Sequence, residues 1–173
     1  MKTEFEEIVL GGGCFWCIEA VLNTLDGVVE AVPGYGGGHK SDPAYEEVCG
    51  GSTGHAEVVR VRYDTRRISL EDLLEVFFSA HDPTSLNRQG LDVGTQYRSI
   101  ILYNTGEQKE IIEGFLDGIG SRYASAVVTE VRRLERFYPA EEYHHRYYER
   151  NPHQPYCRVM IKPKLEKLGK KPV

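Results

Sequence analysis

Four cysteines, at positions 14, 17, 49 and 157, are the strongest nucleophiles in the chain. Two of them fall in the run Gly11-Gly12-Gly13-Cys14-Phe15-Trp16-Cys17, where three glycines lead directly into a thiol. A thiol reacts as its thiolate, and at a helix N-terminus its pKa falls from about 8.5 because of the partial positive charge there. Glycines before Cys14 would let backbone N–H groups turn toward the sulfur. The pattern predicts a nucleophile at Cys14, whereas most lone cysteines are small buried apolar residues. Phe15 and Trp16 are core aromatics by default, and beside a reactive thiol they also suit the walls of an apolar pocket.

Cys14 and Cys17 together make a Cys-x-x-Cys pair, which serves either a redox disulfide or half of a zinc site. Residues three apart on a helix are neighbours, so a Cys14–Cys17 bond is geometrically reasonable. Zinc requires a second pair of ligands. Neither His144-His145 nor Cys49 with His55 stands at a standard spacing for that, and a structural zinc is disfavoured. There is no Walker-type loop and no dinucleotide fingerprint, so no nucleotide or metal cofactor is expected. Electrons must then arrive through protein thiols. Cys49 reads as a buried apolar residue.

The elements that must position these groups follow from periodicity. Glu6 to Leu10 reads as a strand, Cys14 to about Leu25 as a helix opened by the cysteine, and Val28 to Tyr35 as a second strand. Gly36 to Pro43 is a surface loop. His55 to Tyr63 alternates as a half-buried strand. Ser69 to His81 reads as a helix capped by Ser69, with Leu70, Leu73, Leu74, Phe77 and Phe78 as its core stripe. Asp82 to Gln96 is polar loop, Tyr97 to Tyr103 a strand, Glu107 to about Ile119 a helix, and Val127 to Leu134 a strand. Ala140 to Arg150 has a helical pattern, stopped by Pro152 and Pro155, and from Tyr156 onward no element is assigned. Strands and helices are mixed without clean alternation, which fits an α+β class with a small mixed sheet.

Composition limits the function classes. The chain has 173 residues, 40% hydrophobic and 27% charged, with a net charge of −5. That suits one soluble domain over 1–173. The acidic balance argues against a nucleic-acid partner, and Lys162, Lys164, Lys167, Lys170 and Lys171 read as a solvated tail. No apolar run approaches the roughly 18 residues of a membrane helix, and the acidic start does not resemble a signal peptide. The expected setting is cytoplasmic, away from membranes, and the expected state is a monomer.

Gly13-Cys14-Phe15-Trp16 resembles the signature of the A-type peptide methionine sulfoxide reductases. Further segments of that family recur in order: Gly34-Tyr35, Tyr45 to Cys49, Gly54-His55-Ala56-Glu57, His81-Asp82-Pro83, Gly94 to Ser99, and Phe137 to Glu141. The resemblance covers nearly the whole chain. It implies the α+β domain of these reductases, a ferredoxin-like α/β sandwich with helices flanking the sheet and the catalytic cysteine heading the first helix.

The same resemblance implies roles. Cys14 attacks the sulfoxide sulfur, and Glu57, kept protonated by burial, supplies the proton. Glu57 shares a strand face with Val59 and Val61, which favours a buried carboxyl. Tyr45 and Tyr97 match the tyrosines that hydrogen-bond the sulfoxide oxygen, Asp92 organises the pocket, and Phe15 with Trp16 cradles the methyl group. Family membership implies the S epimer, protein-bound or free, with repair of oxidative damage as the outcome.

Attack leaves a sulfenic acid that a second thiol condenses with. Cys157, on a C-terminal segment expected to be flexible from about 151, matches the resolving position of many relatives and is preferred over Cys17. Many relatives have glycine where this chain has Cys17, so the dithiol within Cys14 to Cys17 is a departure. Thioredoxin or a similar dithiol is the implied reductant. Two other readings are weighed: a general dithiol–disulfide oxidoreductase resting on the Cys-x-x-Cys pair, and a binding module that captures methionine without turnover. Neither explains the glycine turn, the acid and the tyrosines together.

Overall fold

The computed structural model describes residues 4–172. Its centre is β1 (Phe5–Gly11), with Ile8 and Leu10 on one face and Val9 on the other, all three fully buried. Burial on both faces follows because both sides of the sheet are covered, by the main core over Ile8 and Leu10 and by a smaller cluster over Val9. β1 pairs antiparallel with β3 (Ala56–Asp64) on one side and β6 (Ile100–Tyr103) on the other. β2 (Val28–Gly36) continues the sheet beyond β3 and β8 (Phe137–Pro139) ends it, while β7 (Glu130–Arg133) adds parallel to β6 at the opposite edge. The order β7-β6-β1-β3-β2-β8 makes a mixed sheet, and the class is α+β, as the residue pattern predicts.

The main core lies on the Ile8, Leu10, Val59 and Val61 face, under α1 (Phe15–Leu22), α3 (Leu70–Ala80) and α4 (Gly106–Ile119). Val9, Ala56, Val58, Ile100 and Leu102 form a smaller cluster on the other face beneath Leu134 and Phe137. α3 starts as its sequence dictates: the Ser69 hydroxyl accepts the Asp72 N–H at 3.1 Å, and the predicted stripe is buried. No helix among the described residues is long and apolar enough to cross a membrane.

Three stretches differ from expectation. Within the loop 82–96 a two-stranded hairpin forms, β4 (Arg88–Gln89) against β5 (Asp92–Val93). The stretch 140–150 is not one helix: a 3-10 turn, Glu142–His144, is followed by Arg146 at φ +53° and then by the short α5 (Tyr147–Arg150). The cause is tertiary. Glu19 on α1 is 1% exposed and accepts the Arg146 backbone N–H at 3.0 Å, tying down the chain where a continuous helix would carry it away.

The segment from 151, expected as a flexible reach with no element assigned after Tyr156, is helical. A π-turn over Cys157–Ile161 runs into α6 (Lys162–Lys167), and Cys157, Ile161 and Leu165 are buried in the main core. The lysines expected on a solvated tail therefore include Lys164 and Lys167 on a packed helix. β8 and α2 (Tyr45–Cys49) carried no expectation, being too short for periodicity to register.

Candidate active site

The glycine run works by close approach. A Cβ at Gly12 would lie 2.6 Å from the His81 ring, and Gly13 turns the chain at φ +88°. His81 is buried between the Phe77 carbonyl and the Ser99 hydroxyl, each 2.7 Å from one ring nitrogen. Burial pulls its pKa down to about 4, so the ring is a neutral brace for the turn. The Gly13 N–H donates to the Tyr97 carbonyl at 3.1 Å, not to the sulfur as the glycine pattern suggested. The backbone group that bonds Cys14 is Trp16 N–H.

Cys14 stands at the N-cap of α1, 8% exposed. The expected lowering of its pKa is not what its surroundings produce. Burial pushes the thiol well up, the nearby Glu57 and Cys17 push it further, and the Trp16 N–H and Tyr156 hydroxyl pull only partly back. Desolvation outweighs the helix end here.

Glu57 reaches the same helix start from β3. It is 1% exposed; Oε1 accepts the Phe15 N–H at 3.1 Å and Oε2 is buried with no hydrogen-bond partner. Burial raises its pKa to about 8, with the Phe15 N–H pulling back, Asp92 pushing up and the Cys14 thiol pulling back slightly. At neutral pH this carboxyl is mostly protonated.

The aromatic residues form a continuous wall. Phe15 is buried against Tyr35, Tyr45 and His144, with ring centroids at 5.8, 6.5 and 5.0 Å. Trp16 is half-buried, stacked on Tyr147 at 3.7 Å, and its indole N–H donates to His144 Nδ1 at 3.0 Å. Tyr45 heads α2, where the carboxyl of Glu141 fixes the wall by accepting the Tyr45 N–H at 3.1 Å and the Tyr35 hydroxyl at 2.8 Å. Tyr97 ends the 3-10 turn Thr95–Tyr97, close enough to Glu57, Asp92 and Cys14 to feel each. Burial raises both phenols above their ordinary value, so they remain donors across the neutral range.

The sulfurs are arranged around Tyr156. Its hydroxyl donates to Asp92 Oδ2 at 2.7 Å, stands 3.7 Å from the Cys17 sulfur, and bears on Cys14. Cys157 is 0% exposed, and the thiol it feels is Cys17. Cys49, expected as buried and apolar, is exposed at the end of α2, where its thiol bonds the Tyr45 hydroxyl. Eight of the nine predicted site residues, Cys14, Phe15, Trp16, Cys17, Tyr45, Glu57, Asp92 and Tyr97, gather at the head of α1, and Cys157 lies one thiol further off.

Sequence reasoning missed Tyr156, Tyr147 and His144. Tyr156 adjoins Cys157 in the chain, a signal that was available. His144 had none, because its placement depends on the break before α5.

An α+β domain holding a dithiol and a buried carboxyl at the head of its first helix has the architecture of a thiol-dependent oxidoreductase. The model of the peptide methionine sulfoxide reductase family matches residues 6–173, and the chain belongs to that family. It is 56% identical over 159 residues to the peptide methionine sulfoxide reductase MsrA of Natronomonas pharaonis, covering 91% of this chain and 89% of that relative. It is 56% identical over 162 residues to the MsrA of Nautilia profundicola, covering 94% and 93%. Among solved structures, Mxr1 of Saccharomyces cerevisiae in reduced form aligns with a TM-score of 0.85 at 34% identity, covering 89% and 90%. Mxr1 in complex with Trx2 aligns at 0.62 and 23% identity over 85% and 89%, a likeness of fold.

Proposed function

We propose that this chain reduces the S epimer of methionine sulfoxide, in proteins and as the free amino acid, with Cys14 as nucleophile and Glu57 as acid. The observation that carries the reading is the buried carboxyl beside the buried thiol, with one oxygen bonded and the other without a partner. A protonated Glu57 donates to the sulfoxide oxygen as the Cys14 sulfur attacks, the carboxylate so formed takes up the Cys14 thiol proton, and Tyr45 and Tyr97 hydrogen-bond the oxygen as charge develops on it. Phe15 and Trp16 take the methyl group by apolar contact. Methionine leaves and Cys14 becomes a sulfenic acid.

Cys17 resolves it. Its thiol bears on Cys14 and meets the same Tyr156 hydroxyl, whereas Cys157 bears on Cys17. This reverses the preference for Cys157 drawn from the resemblance. Condensation of the sulfenic acid with the Cys17 thiol releases water and forms the Cys14–Cys17 disulfide, and Cys157 stands next in line for exchange. Thioredoxin, the family's usual donor, then returns two electrons. The structure of yeast Mxr1 with Trx2 supports that choice of partner. A reducing cytoplasm suits the free thiols at 14, 17, 49 and 157, and a monomer suffices for the chemistry.

Peptide mapping after one turnover without reductant tests the order of thiols. The reading expects a Cys14–Cys17 disulfide in Cys157→Ser and a persistent sulfenic acid in Cys17→Ser. A Cys14–Cys157 bond forming at the parent rate in Cys17→Ser contradicts it.

A further inference from the structure

We propose that a cavity beside the two thiols binds a low-molecular-weight thiol carrying two carboxylates, and that this molecule serves as a second electron donor to the Cys14–Cys17 disulfide. The inference rests on the reading of Cys14 and Cys17 as a redox pair. The cavity, about 780 Å³, is lined by Gly13, Cys14 and Cys17 at one end and by α6 on one side. Neither Glu57 nor Tyr45 nor Tyr97 lines it. An occupant therefore meets both sulfurs without meeting the acid or the phenols that a sulfoxide needs. A molecule that needs two sulfurs and no acid is a disulfide reductant. The volume suits a ligand of tripeptide size and is too small for a folded domain.

Charge selects the class. Lys164 and Lys167, one turn apart on α6, line the cavity together with Arg122. Neither lysine pairs with a carboxylate among the described residues, while Arg122 is paired with Glu75. Two carboxylates share the lining and keep their charge, Asp92 accepting from the Tyr156 hydroxyl and Asp82 from Thr84. Two ammonium groups without an ion-pair partner thus flank a path to the thiols in a chain of net charge −5. Phe78, Met160 and Leu168 supply apolar wall for the carbon skeleton.

The same lysine orients the chemistry. Burial raises both thiols, but Lys164 favours a thiolate at Cys17, where Glu57 weighs least, whereas at Cys14 Glu57 is the largest influence after burial. Cys17 is then the better leaving group, and attack falls on the Cys14 sulfur. The incoming thiolate forms a mixed disulfide with Cys14 as the Cys14–Cys17 bond breaks. A second thiolate then attacks the ligand's sulfur, forming the small-molecule disulfide and releasing Cys14. Two thiols are oxidised, one protein disulfide is reduced, and the two thiol protons end on Cys14 and Cys17.

The test compares reduction of the oxidised full-length protein by glutathione, a tripeptide thiol with two carboxylates, by cationic cysteamine and by neutral dithiothreitol at matched thiolate concentrations. The proposal expects glutathione to saturate, to outpace cysteamine by about tenfold or more at low salt, and to lose that advantage at high salt. In Lys167→Glu the ratio of glutathione-driven to dithiothreitol-driven rates falls by about tenfold. Equal rates for glutathione and cysteamine, or an unchanged ratio in Lys167→Glu, overturn the proposal alone. An oxidised protein in which dithiothreitol restores no thiol at Cys14 or Cys17 overturns the redox-pair reading and this proposal with it.

Discussion

At the scale of single residues, Glu57 and Cys14 act on each other. Each is buried and each has its pKa raised; the Glu57 carboxylate disfavours a thiolate at Cys14, while the Cys14 thiol favours the Glu57 carboxylate by hydrogen-bonding it. The sign follows directly. A carboxyl raised to about 8 is protonated below that pH, so its power to donate is present at neutral pH and lost as pH rises through 8. Single-turnover methionine release is expected to show an alkaline limb near pH 8, and Glu57→Gln to abolish the limb and slow release by about 10²–10⁴-fold. An unchanged limb in the variant assigns it to another group. Cys14, Glu57 and the flanking aromatics were legible in the sequence because glycines, alternation and the family segments all bear on them. The raised Cys14 pKa was not, because desolvation depends on what the distant C-terminal residues cover.

Among the elements, the join between α1 and α5 carries an unexpected burden. Glu19 is buried on α1 and accepts backbone N–H groups of Arg146 and Tyr147, and burial raises its pKa to about 7. Because the folded state holds this proton more tightly than the unfolded chain, stability is lost as pH rises from about 4.5 through 7. The size is on the order of 3 kcal/mol. Glu19→Gln is expected to flatten the fall in Tm across that window, and parallel Tm profiles in parent and variant would contradict it. Strong strands and helices such as β1, β3, α3 and α4 were legible because their periodicity is sustained over several turns or alternations. The break at Arg146, the hairpin of β4 and β5, and α6 were not, since each is fixed by contacts far away in sequence.

For the whole molecule, the C-terminal segment belongs to the fold as well as to the surroundings of the thiols. Ile161 and Leu165 pack fully buried in the core beneath α1, so Ile161→Ala is expected to cost about 2–5 kcal/mol in urea unfolding. A loss below 1 kcal/mol would mean that the segment is only loosely docked. The same packing holds Tyr156 against Asp92 and Cys17, so stability and site geometry should fall together in that variant. The central claim is that Cys14 and Glu57 together reduce a sulfoxide, and methionine formation from each sulfoxide epimer with dithiothreitol tests it most directly, because that reductant bypasses the recycling partner. The account predicts turnover of the S epimer by the parent, none by Cys14→Ser, and a sharply slowed rate in Glu57→Gln. Methionine formation from neither epimer, or undiminished turnover by Cys14→Ser, would contradict it.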